Sequence, residues 1–114
     1  MRVYKFRGKS FESGQYVYGD LIQGDNGVYI RQWSDGAQIE VDNETIAQFV
    51  NACDLNGEEL YEGDVLEFDY NGVHYEYEVQ LNGFAVAKDG CYLTAKQFKN
   101  YQKKNRAAYD AEGD

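Results

Sequence analysis

Proline is absent from the 114-residue chain; histidine, methionine and tryptophan occur once each and cysteine twice. The two cysteines, Cys53 and Cys91, are too few and too far apart for a disulfide framework or a zinc knuckle. No apolar run approaches the roughly 18 residues that span a bilayer. The opening Met1-Arg2-Val3-Tyr4-Lys5-Phe6-Arg7 lacks the apolar stretch of a secretion signal, so a soluble cytoplasmic protein is expected. No glycine-rich phosphate loop and no nucleotide fingerprint are present. Bases are scarce too: 11 Lys+Arg stand against 20 Asp+Glu, for a net charge of −9 and a pI near 4.5. That balance argues against a whole-surface binder of nucleic acid or anionic membrane. What the chain does have is apolar material. Hydrophobic residues make up 43% and aromatics 16%, enough for a core and too much for general disorder, and the length suits one domain.

Short apolar–polar runs separated by Gly, Asn and Asp point to an antiparallel β domain rather than to βαβ units. Strands are expected over 3–6, 16–22, 27–32, 45–50, 65–70, 73–81, 84–87 and 92–93. The segment near residue 45 stays ambiguous, because Asp42-Asn43-Glu44-Thr45 also suits a short helix cap. Asn-Gly recurs at 26–27, 56–57, 71–72 and 82–83, and this dipeptide favours type I′ turns, whose two central residues take positive φ. A two-residue turn at Asn71-Gly72 pairs Tyr70 with Val73, Phe68 with Tyr75 and Leu66 with Tyr77 on one face, expected as core. The other face then pairs Asp69 with His74, Glu67 with Glu76 and Val65 with Glu78. A similar turn at Asn82-Gly83 pairs Leu81 with Phe84 and Val79 with Val86. Thr94-Ala95-Lys96-Gln97 fits a capping box. A basic amphipathic helix is therefore expected over 95–109, with Phe98 and Tyr101 on its docking side and Lys96, Lys99, Lys103 and Arg106 on another. Residues 110–114 read as a disordered acidic tail.

The net charge averages unlike parts. Residues 1–10 carry four bases and no acid, and residues 11–90 carry 17 acids against Arg31 and Lys88. Residues 91–106 carry five bases and the last eight residues three acids. Acid sits in the body and base at both ends.

Several segments resemble YopX-like phage and prophage proteins: Lys5-Phe6-Arg7-Gly8, Tyr18-Gly19-Asp20-Leu21, and Glu44-Thr45-Ile46-Ala47-Gln48-Phe49. The strongest is Asp54-Leu55-Asn56-Gly57-Glu58-Glu59-Leu60-Tyr61-Glu62-Gly63-Asp64-Val65, similar to that family's Asn-Gly turn followed by Ile/Leu-Tyr-Glu-Gly-Asp-Ile/Val. The resemblance is good over roughly 4–70 and looser over the meander. It implies a small SH3-like antiparallel β-barrel over 1–94, no established enzymatic activity, and a bacterial host cytoplasm as location. The family's closing strand region is replaced here by the expected basic helix.

The residues themselves offer little for catalysis. His74 beside Asp69 reads as a cross-strand charge pair, and neither cysteine, both expected to be free and partly buried, has a nucleophile's local signature. Glu67 opposite Glu76 brings like charges together in the manner of a two-carboxylate site, but no cleft signal accompanies them. Asp54-x-Asn56-Gly57 starts like a calcium loop and lacks its later ligands. The expectation is a non-enzymatic protein without catalytic residues, metal or cofactor. Its acidic sheet surface (Glu58, Glu59, Glu62, Glu67, Asp69, Glu76 and Glu78) docks on a basic host or phage protein. The carboxylates would stand in for nucleic-acid phosphates, and a host nuclease, restriction enzyme or CRISPR effector would be the target. Two alternatives stand beside it: nucleic-acid contact through Lys96, Lys99, Lys103 and Arg106, and a homo-oligomer joined by opposite charge, with Tyr101 and Tyr109 at the contact.

Overall fold

β-branched and aromatic residues alternating with polar ones suit pleated, half-buried strands, and strands dominate the protein. A computed structural model describes residues 3–104, in which eleven strands and two short 3-10 turns succeed one another. The strands form two antiparallel sheets that do not close into a barrel, which corrects the expected SH3-like barrel. By its contacts the chain divides after Asn51 into two compact units.

In the first unit the strands are β1 (Phe6–Lys9), β2 (Tyr16–Gln23), β3 (Val28–Gln32), β4 (Gln38–Val41) and β5 (Ala47–Cys53), in the order β4-β3-β2-β1-β5. Register is set by pairs such as Leu21↔Ile30 and Ile30↔Ile39, and Ile30, Val41, Phe49 and Val50 are buried. The ambiguity near residue 45 resolves as both readings in sequence. The Asp42 carboxylate accepts from Glu44 N–H at 3.0 Å and caps a 3-10 turn over Asn43–Thr45, after which β5 begins. Gly19 lies so close to β3 that a Cβ there would meet the Arg31 carbonyl oxygen at 2.0 Å.

The second unit contains β6 (Glu59–Tyr61), β7 (Val65–Tyr70), β8 (Val73–Val79), β9 (Phe84–Val86), β10 (Tyr92–Thr94) and β11 (Gln102–Lys103); its five-stranded sheet runs β10-β9-β8-β7-β11. All six pairs expected across the Asn71-Gly72 turn are present, and both turn residues take positive φ, 51° and 77°. The second turn differs by one residue. Val79 pairs with Ala85 and Glu78 with Val86, because Gly83 N–H bonds Gln80 O and Gln80 N–H bonds Phe84 O. With Gly83 at φ 92° this is a three-residue loop ending in a left-handed glycine, not a two-residue type I′ turn. The shift turns Ala85 inward against Val79 and leaves Phe84 and Leu81 exposed.

The expected C-terminal helix is not formed over its described part. Gln97 does reach back, its Oε1 accepting from Thr94 N–H at 2.8 Å, yet the turn it opens is a 3-10 turn over Ala95–Asn100. Tyr101 is then extended, and β11 pairs with the free edge of β7, Gln102 opposite Glu67 and Lys103 opposite Leu66. A capping box is a local signal that any helical turn satisfies; the sheet edge, a long-range partner, sets the course of the chain beyond that turn. Residues 105–109 of the expected helix, including Arg106 and Tyr109, and the acidic tail 110–114 lie outside the described residues. Phe98, fully buried, anchors the turn.

Two buried carboxylates hold this unit together. Asp54 Oδ1 accepts from Asn56 N–H at 2.8 Å and Glu58 N–H at 2.9 Å, and its Oδ2 accepts from Lys103 N–H at 2.8 Å. Asp64 Oδ2 accepts from Tyr61 N–H at 2.8 Å and faces Lys103 Nζ at 3.3 Å. The Asp54–Val65 stretch is thus, on these contacts, a fold determinant: it turns the chain and fastens β11.

Candidate functional site

Side chains alternate across a strand, so the β7–β8 hairpin presents two faces of different chemistry. One carries Glu67, Asp69, Glu76 and Glu78, with Glu67 directly opposite Glu76. Alternation about the Asn71-Gly72 turn predicts these four together, and the register sets them so. Two features of this face lie beyond that prediction. Lys104 N–H bonds Val65 O, extending the β11 register, and Lys104 Nζ reaches Glu76 Oε2 at 2.8 Å. His74 does more than pair with Asp69. Its Nδ1 lies 2.6 Å from Asp69 Oδ1, while its Nε2 lies 3.0 Å from Glu76 Oε2 and 3.6 Å from Glu67 Oε1. Hydrogen bonds of the ring to Asp69 first and Glu76 second raise the His74 pKa above its ordinary 6.5. Lys104 first and His74 second hold Glu76 below the usual carboxylate range.

Glu67, His74 and Glu76 present ligand atoms within 4.8 Å of one another, a carboxylate–imidazole set of the kind that suits a divalent ion. The Lys104 ammonium, already on Glu76, competes for the same oxygen. The expected register contained this grouping, since Glu67 opposes Glu76 and His74 is two residues before Glu76; only the extra lysine lay beyond local reading.

The remaining expected acids, Glu58, Glu59 and Glu62, fall elsewhere in the second unit. Glu62 lines a shallow cleft of about 380 Å³ with Glu78, Gln80 and Asn82. Glu58 is exposed in the turn that Asp54 holds, and Glu59 accepts from the Tyr61 hydroxyl at 2.9 Å. Of the basic set, Lys96 and Lys99 are exposed on the 3-10 turn, whereas Lys103 is turned to Asp64 and, at 3.1 Å, to Glu59 O. The helical stripe of cations is therefore not present over residues 95–104. Cys53 and Cys91 are free but exposed, not partly buried; Cys91 hydrogen-bonds Asp89, which pushes the thiol pKa up.

The opposite face of the hairpin holds Leu66, Phe68, Tyr70, Val73, Tyr75 and Tyr77. Leu66 is fully buried, but exposure rises toward the turn, to 40% at Tyr75 and 60% at Tyr70. The face expected to be core is core only at its Leu66 end. Alternation specifies which side a residue faces, not whether anything covers that side.

No protein-family model matches the chain, and no curated protein or solved structure matches it either. No helix among the described residues is long and apolar enough to cross a membrane.

Proposed function

We propose that this is a non-enzymatic accessory protein of phage or prophage type that works by protein–protein interaction, docking the acidic face of β7–β8 on a basic surface of a host or phage protein. The observation that carries the reading is the register, which sets Glu67, Asp69, Glu76 and Glu78 side by side on one strand face. Lys104 and His74 partly offset these four carboxylates; four carboxylates outnumber these two groups, so the face keeps an excess of acid even with His74 charged. A flat array of carboxylates offers a partner's lysines and arginines what a phosphate backbone would, so a nucleic-acid-binding defence protein of the host is the partner class it fits. The YopX-like character of the Asp54–Val65 segment supports the phage setting.

The test is affinity capture from a bacterial lysate at low salt, with elution on a salt gradient. A basic, nucleic-acid-binding protein should be retained and released as salt screens the contact. Retention of no basic protein would overturn the reading.

A further inference from the structure

Phe68, Tyr70, Tyr75, Tyr77 and Tyr101 line an open cradle of about 310 Å³ on the face of the second sheet opposite the acidic one. Tyr101 comes to it because β11 continues the β7 register, which sets Tyr101 level with Phe68. The rings are inclined walls rather than a stack. Phe68 and Tyr101 have centroids 5.4 Å apart at 52°, and Tyr77 and Tyr101 lie 5.7 Å apart at 73°. Five aromatic rings thus line one open space, and aromatic faces carry negative potential. Asp89 is not one of these five residues, but its carboxylate, held below the usual carboxylate range by hydrogen bonds from the Cys91 backbone and thiol, carries a negative charge that is felt at the Tyr77 wall. Among the described residues no lysine or arginine stacks on these five rings. The first unit, by contrast, uses such contacts within itself: Lys5 over Trp33, and Arg7 and Lys9 over Tyr16.

We infer that the cradle is a receptor for an arginine side chain of a partner polypeptide, its guanidinium stacked on Tyr70, Tyr75 and Tyr101 near Asp89. Guanidinium fits better than a lysine ammonium. It is planar, it is weakly hydrated and so gives up water readily, and it stacks on aromatic faces while its edge N–H groups reach hydroxyl or carboxylate oxygens. Tyrosine hydroxyls and Asp89 supply those acceptors. This site goes beyond the acidic-face reading and does not depend on it, since different residues on the opposite side of the sheet carry it.

The test is a titration of the full chain with Gly-Arg-Gly peptide, followed through the tyrosine ring signals by NMR. The matching citrulline peptide, neutral and of nearly the same shape, and Gly-Lys-Gly serve as comparisons. Shifts should saturate in the millimolar range at Tyr70, Tyr75 and Tyr101, with citrulline binding weaker by about five-fold or more. Tyr70→Ala and Tyr75→Ala alter exposed residues, so the fold should persist, and each should abolish the shifts; Tyr75→Phe, which keeps the ring, should retain them. In the Glu67→Gln/Asp69→Asn/Glu76→Gln/Glu78→Gln variant the cradle shifts should be unchanged, which separates this site from the acidic face. Equal binding of citrulline, equal or tighter binding of the lysine peptide, shifts confined to the acidic face, or no saturation with arginine would each overturn the inference.

Discussion

Replacing Asp54 by alanine should cost the second unit far more stability than any surface carboxylate can. Asp54 is buried, and its two oxygens take three backbone N–H groups, those of Asn56, Glu58 and Lys103. A hydrogen bond to a charged group contributes about 1.5–3 kcal/mol. Asn56 and Glu58 are exposed, so water replaces part of what their N–H groups lose, whereas Lys103 is half-buried in β11. The expected sum is about 3–5 kcal/mol rather than three full contributions. Asp54→Asn is the sharper variant: its amide oxygen keeps the Asn56–Glu58 turn, but its amide nitrogen opposes the Lys103 N–H, for a loss of about 2 kcal/mol. Urea unfolding followed by far-UV circular dichroism gives both values, and hydrogen exchange places the loss. The Lys103 amide should lose protection in both variants and the Asn56 amide only in Asp54→Ala. A cost below about 1 kcal/mol for Asp54→Ala, the range of ordinary surface changes, or unaltered Lys103 protection in Asp54→Asn, would refute the claim that this carboxylate fastens the closing strand.

The same contacts set three further outcomes. Phe98→Ala empties a fully buried site and should destabilise by about 3–5 kcal/mol in urea unfolding. Gly19→Ala sets a Cβ 2.0 Å from the Arg31 carbonyl oxygen, and should cost about 3 kcal/mol or more, or prevent the first unit from folding, as read by Trp33 fluorescence. His74, whose pKa is raised by Asp69 and then Glu76, should contribute stability that is full below its unfolded value near 6.5 and is lost as pH rises through the higher folded value. NMR titration of the His74 ring should show Asp69→Asn bringing the pKa down, and capture of a basic partner should weaken as pH falls and the ring gains its charge.

How legible these features were depended on how local their causes are. The β7–β8 hairpin could be read from Asn71-Gly72 and strict alternation, because a type I′ turn fixes register by itself. The next turn carries the same dipeptide but a register one residue different from the two-residue expectation: Gly83 closes a three-residue loop there, a choice made by the strands rather than by the pair Asn-Gly. β4, Gln-Ile-Glu-Val, and β6, Glu-Leu-Tyr, are too short and polar to announce themselves. At the C-terminus the capping residues were right and the helix wrong, since the open edge of β7 supplies backbone partners from about forty residues away in sequence. The same long-range pairing brings Lys104 onto Glu76 and Tyr101 into the aromatic cradle. Both faces of the hairpin were thus half legible, and each was completed by a strand that local signals hid.

The acidic face is tested most directly by capturing partner from one bacterial lysate on three immobilised forms side by side: the natural chain, Glu67→Gln/Asp69→Asn/Glu76→Gln/Glu78→Gln, and Lys104→Ala. Lys104→Ala removes the ammonium that offsets Glu76. The docking account predicts that the basic protein eluted by salt is most abundant, or elutes at the highest salt, from Lys104→Ala, less so from the natural chain, and is absent from the neutralised form. The same protein retained equally by all three would contradict it.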